Sequence, residues 1–104
     1  MIKVSVLYPN VADSHFDHDY YRDQHMPMVK RVVGEACLSY AVDRGLAGGA
    51  PGSPAAFVAM GHLFFDSIER FQAAFAPHAK VIQADIANYT NITLELLISE
   101  VVAG

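Results

Sequence analysis

The chain has 104 residues, a formal net charge of −4, and 53% hydrophobic against 17% charged residues. Its length supports one domain with a real core, and its acidic balance lacks the basic footprint that nucleic acid or an anionic membrane surface requires. A lone cysteine, Cys37, forms no internal disulfide; no apolar run nears the ~20 residues of a membrane helix; and residues 1–10 lack a signal-peptide pattern, so the expected location is the cytoplasm.

Residues 2–8 alternate, with Ile2, Val4, Val6 and Tyr8 on one side, and read as the first strand until Pro9-Asn10 breaks the pattern. A helix is expected over residues 17–33, acidic at its start (Asp17, Asp19) and basic at its end (Lys30, Arg31) before Gly34, as the helix dipole favours. Within it Pro27 has no amide proton and crowds the carbonyl of Asp23, which predicts a kink or restart. Residues 37–44 form a second strand with Leu38, Tyr40 and Val42 in phase. The glycine- and proline-rich segment 45–54 reads as a flexible surface loop that connects two strands.

Residues 57–65 make a strong third strand, after which Asp66 or Ser67 caps a helix that turns Ile68, Phe71 and Phe75 inward and stops near Pro77. A further helical turn or two follows over residues 78–86, and 90–102 is a long fourth strand with Ile92, Leu94, Leu96 and Ile98 on one side. The order β, α, β, β, α, β is that of the α+β ferredoxin-like fold, a four-stranded antiparallel sheet with its helices on one face, here as a single domain over residues 1–104. The other face is mixed, with Ser5, Leu7, Thr93, Glu95, Leu97 and Ser99. Together with the low charged fraction, set against the roughly 25% usual for globular domains, this face predicts a homodimer that closes two sheets into a barrel.

The most informative stretch is FDHDYYRDQHMPMV, residues 16–29. Tyr21, His25, Met28 or Val29, and Val32 recur at helical spacing, so an imidazole sits in an apolar stripe. Imidazole titrates near neutral pH, which makes His25 the candidate general acid or base; the alternative is a core histidine held by hydrogen bonds. Tyr21, one turn earlier, is placed to orient the ring or hydrogen-bond a bound oxygen, or else fills volume. Tyr20 points about 100° away and reads as a surface or interface aromatic. Tyr40 and His62, inside strands among apolar neighbours, and Met28 are the candidates for substrate contact.

The residues Phe16-Asp17, Asp19-Tyr20-Tyr21 and His25-Met26-Pro27-Met28-Val29 resemble the signature of the EthD family, and Leu63-Phe64-Phe65-Asp66-Ser67 is weakly similar to the family's third-strand end and helix cap. The resemblance implies a dimeric α+β barrel of ferredoxin-like subunits. It also implies a link to the oxidative breakdown of ethers and other small organic molecules, often beside a cytochrome P450 system, in proteins commonly labelled oxidoreductases. Relatives that share the barrel include lactone isomerases, cofactor-free monooxygenases and haem-handling enzymes, a kinship of fold that supplies analogy only.

No metal site is expected: His18 and His25 lie two helical turns apart, roughly 10 Å along the axis, and neither HExxH nor CxxC occurs. Haem is compatible with the barrel relatives but has no sequence mark, and the absence of a GxGxxG loop argues against a bound nicotinamide, so no cofactor is expected. Cys37, flanked by Ala36 and Leu38, reads as a buried inert thiol. The function expected is binding and modification or degradation of a small ether, aromatic or lactone compound, with His25 moving a proton; the alternative is a non-catalytic carrier or accessory to a monooxygenase system.

Overall fold

In the computed structural model, which describes all residues from Met1 to Gly104, the four strands form one antiparallel sheet. They are β1 (Ile2–Pro9), β2 (Ser39–Arg44), β3 (Phe57–Phe65) and β4 (Glu95–Glu100), in the order β2-β3-β1-β4. The central strand β1 pairs on both edges, Val4 standing opposite Leu63 on one side and Ile98 on the other. Alternation along β1 therefore sends Val4, Val6 and Tyr8 to the helix-covered face and Lys3, Ser5 and Leu7 to the open one.

Helix α1 covers residues 18–33 and changes character midway. Asp17 caps it, its carboxylate accepting from the Tyr20 amide. An opening turn, His18–Tyr20, passes into a π-helical stretch, Tyr21–His25, and then into an α-helical run, Met26–Val33. The expected kink at Pro27 takes this form: the chain stays helical, and the wide turn, in which the Met26 amide reaches the Tyr21 carbonyl, absorbs the missing donor and the crowding at Asp23. Gly34, at φ 70°, ends α1, and Lys30 Nζ donates to its carbonyl at 3.0 Å.

Ser67, not Asp66, caps α2 (Ile68–Phe75), accepting from the Arg70 amide. Phe71 is buried and Phe75 half-buried, but Ile68 is 42% exposed and faces away from the core. A tight turn through Pro77 leads to α3 (Ala79–Asp85). Strand β2 starts later than expected because residues 34–36 form one tight helical turn. Strand β4 is shorter than residues 90–102, since Thr90 bridges to Phe16 and its hydroxyl donates to the His15 carbonyl at 2.6 Å. Segment 45–54 joins β2 to β3 folded on itself, the Gly48 amide donating to the Ser53 carbonyl at 2.9 Å.

The core lies between the sheet (Val4, Leu63, Phe65) and the helices (Val29, Val33, Phe71, Ile82). Each such side chain contributes about 1.5–3 kcal/mol on burial. No helix is long and apolar enough to cross a membrane.

Candidate functional site

The π turn brings Tyr21 and His25 one above the other: their rings stack with centroids 5.5 Å apart and planes 14° from parallel. Both are buried, the His25 side chain only 5% exposed. Tyr8 from β1 and Tyr89 from the approach to β4 complete an aromatic cluster, their hydroxyls hydrogen-bonded to each other at 2.7 Å.

Asp85, the last residue of α3, is the partner of the imidazole. Its carboxylate accepts from His25 Nδ1 at 2.8 Å, from the Tyr20 hydroxyl at 2.6 Å and from Asn88 Nδ2 at 2.9 Å. Burial would raise the Asp85 carboxyl, but the hydrogen bonds from Tyr20, Asn88 and His25 outweigh it and hold the group below its ordinary value. An ionised carboxylate only accepts, so Nδ1 carries the imidazole proton and Nε2 is left as an acceptor. Burial lowers the His25 pKa despite Asp85 beside it, so the ring is neutral at pH 7. Burial pushes the phenols of Tyr8, Tyr21 and Tyr89 well up, which keeps them neutral donors.

Tyr8, Tyr21, His25 and Tyr89 line a cavity of about 310 Å³ between the sheet and the helices, at the small end of the range for ligand sites. Val4, Val6, Val29 and Leu63 are among its walls, and the half-exposed Leu96 is on its rim. The Tyr21 hydroxyl is buried with no hydrogen-bond partner within 3.5 Å, the Tyr8 hydroxyl being its polar neighbour. It stands over Gly61, where a Cβ would lie 2.2 Å from the oxygen, so only glycine leaves room for it.

The structure brings Tyr21 and His25 together and places the other three candidates elsewhere. Met28 is half-buried and lines a shallow cleft between α1 and α3 with Tyr20, Gln24, Arg31 and Asp85. The π turn explains this, because its extra residue advances the buried stripe to Met26, Val29 and Val33. Tyr40 shares the helix-covered face with Leu63, its partner across the sheet, but stands on the edge strand β2 and is absent from the cavity wall. His62 is on the open face, where Nε2 bonds Asp43 at 2.9 Å and Nδ1 bonds the Ser5 hydroxyl at 2.8 Å. That Ser-His-Asp string lacks an oxyanion site: β1 pairs on both edges, so its amides are committed to the ladder.

Tyr20, read as a surface or interface aromatic, lines the open cleft between α1 and α3, and its hydroxyl also buttresses Asp85. Asp85, Tyr89 and Tyr8 were outside the sequence candidates; the three- and four-residue spacing of Asp85, Asn88 and Tyr89 is the one local sign that they share a helical face. Cys37 is buried, and burial pushes its thiol up, as for an inert core cysteine. No three His, Cys, Asp or Glu side chains converge to hold a metal ion.

The EthD domain model matches residues 11–93, which include every polar residue of the site except Tyr8. An EthD-like protein of Ralstonia eutropha JMP134 is 55% identical, with 98% of this chain and 92% of that one covered and a TM-score of 0.94. An ethyl tert-butyl ether D (EthD) family protein of Bacillus halodurans C-125 has the same fold at 23% identity, with coverage of 96% and 97% and a TM-score of 0.72. A protein of 11.0 kDa from the thcB-thcC intergenic region of Rhodococcus erythropolis is 27% identical over 101 residues, 96% of this chain and 94% of that one.

Proposed function

The chain belongs to the EthD family, and on that footing we propose that it binds a small, uncharged, largely apolar oxygenated molecule in the cavity beside His25 and moves a proton on it. The observation that carries this reading is the Asp85–His25 pair, which presents a neutral imidazole with Nε2 free in the wall of an apolar pocket. A buried base of this kind suits general acid–base chemistry near neutral pH. The role in breakdown or modification of an ether, aromatic or lactone compound, associated with an oxidoreductase system and needing no resident cofactor, is proposed on family grounds. The working unit proposed is a cytoplasmic homodimer joined through the open sheet face, where Leu97 is 54% exposed and which it shares with Leu7, Met60 and Phe64.

A thermal-shift screen of wild type and His25→Ala against quinones, lactones, aromatic alcohols, ethers and haem tests this. A ligand at one hundred times its Kd adds about 2.7 kcal/mol to the native state, roughly 10 °C or more for a domain of this size. The proposal expects such a rise in wild type and its loss in a folded His25→Ala. The carrier reading, supported by the predominance of hydrophobic residues among those lining the cavity, expects His25→Ala to keep affinity within about threefold. Absence of any ligand, with an early-melting His25→Ala, would make the histidine structural and contradict both.

A further inference from the structure

The cavity specifies its ligand more narrowly than size and polarity do, and the inference rests on the function just proposed. No lysine or arginine lines it, and its one histidine is held neutral, so nothing there balances a carboxylate or a phosphate. Besides the exposed Gln83 and the mutually bonded hydroxyls of Tyr8 and Tyr89, its lining offers one acceptor and one donor. The acceptor is His25 Nε2, freed because Nδ1 is bonded to Asp85. The donor is the Tyr21 hydroxyl, buried with no partner within 3.5 Å, its polar neighbour Tyr8 being bonded to Tyr89, and accommodated only because residue 61 has no Cβ. The two belong to rings stacked with centroids 5.5 Å apart, and both residues line the cavity.

We propose that the cavity takes uncharged carbonyl compounds with an acidic α-hydrogen, their oxygen received by the Tyr21 hydroxyl and their α-carbon facing His25 Nε2. In the step that follows, Nε2 takes the α-proton and the C–H electron pair becomes the carbon–carbon double bond of an enolate. The carbonyl π pair moves onto oxygen, where the Tyr21 O–H donates to it, and the imidazolium formed is stabilised by Asp85. Return of the proton to the same carbon, or to the γ-carbon when the substrate is a β,γ-unsaturated ketone, regenerates the neutral ring and gives an exchanged ketone or its conjugated isomer. The cycle consumes no oxidant, reductant or metal.

β-Tetralone, a neutral ketone with acidic α-hydrogens, is the probe, and β-naphthol its non-enolisable counterpart of like shape. Deuterium uptake by β-tetralone in heavy water is followed by proton NMR, with free imidazole at the protein's concentration as reference, while thermal shift reports binding. Wild type is expected to bind the ketone and exchange its α-hydrogens at least about tenfold faster than imidazole. Tyr21→Phe, which removes a hydroxyl with no partner, is expected to melt no lower than wild type while losing about tenfold or more in exchange rate, and His25→Gln to lose exchange likewise. Exchange no faster than imidazole with β-tetralone or β-naphthol bound, or full exchange in Tyr21→Phe, overturns this proposal and leaves the binding function standing. Failure of every uncharged ligand in both assays overturns the two together.

Discussion

Burial of the His25 ring opposes its protonation more strongly than Asp85 favours it, and this has a consequence for stability. In the unfolded chain the histidine takes up a proton as pH falls through about 6.5, whereas in the fold it does so only at lower pH. The unfolded state therefore binds more protons in that window, and the stability present above pH 6.5 is lost as pH falls through it toward the folded-state value. Urea denaturation of wild type and His25→Gln at pH 7.5 and pH 5.5 checks the sign: wild type should lose more stability between the two than the variant, and an equal loss would contradict a neutral buried ring. Asp85→Asn is a second residue-scale prediction. The amide oxygen still accepts from Nδ1, but the charge that stabilises imidazolium is gone, so ligand binding should hold while any proton-transfer rate falls by about a hundredfold, the middle of the range for such general catalysis. His25 and Tyr21 are legible in the sequence because a histidine in an apolar helical stripe is an anomaly; Asp85 is not, because a lone aspartate at a helix end looks like an ordinary solvated charge.

At the scale of the element, the π turn decides what α1 presents to the cavity. Periodicity alone carries the stripe from Tyr21 and His25 to Met28 or Val29 and on to Val32; the extra residue of the π turn settles it on Val29 and Val33. Pro27 announces a disturbance there but not its form, since a kink, a break and a widened turn all relieve the same clash. Pro27→Ala restores the amide and removes that clash. It is expected to raise the melting temperature and to weaken ligand binding about tenfold by rotating His25 relative to Tyr21; unchanged affinity would mean that the turn is held by the aromatic cluster and not by the proline. The strands were legible for a simpler reason: β1 begins with apolar and polar residues in alternation, and β3 is a run of nine mostly apolar residues, too short to read as a buried helix. The 90–94 stretch carries the same alternation but lies outside the sheet, where Thr90 binds the backbone around residues 15–16.

For the whole molecule, one face of the sheet is covered by helices and the other is open. The open face combines apolar side chains with the Ser5–His62–Asp43 string, and polar groups within such a surface suit a register-setting role when a second copy covers it. Sedimentation at micromolar concentration should give a dimer for wild type and a monomer for Leu97→Lys; a wild-type monomer would remove the barrel. The βαββαβ order was readable from the alternation of two periods along the chain, whereas the cavity was not, because it arises where residues from β1, α1, α3 and the approach to β4 meet. Long-range proton–nitrogen NMR of histidine-labelled protein at pH 7 tests most directly whether the fold holds a neutral, Nε2-basic imidazole at that meeting point. The expected spectrum has the His25 proton on Nδ1 and an unprotonated Nε2 that shifts on adding a bound ketone; a proton on Nε2, or an imidazolium at that pH, would contradict it.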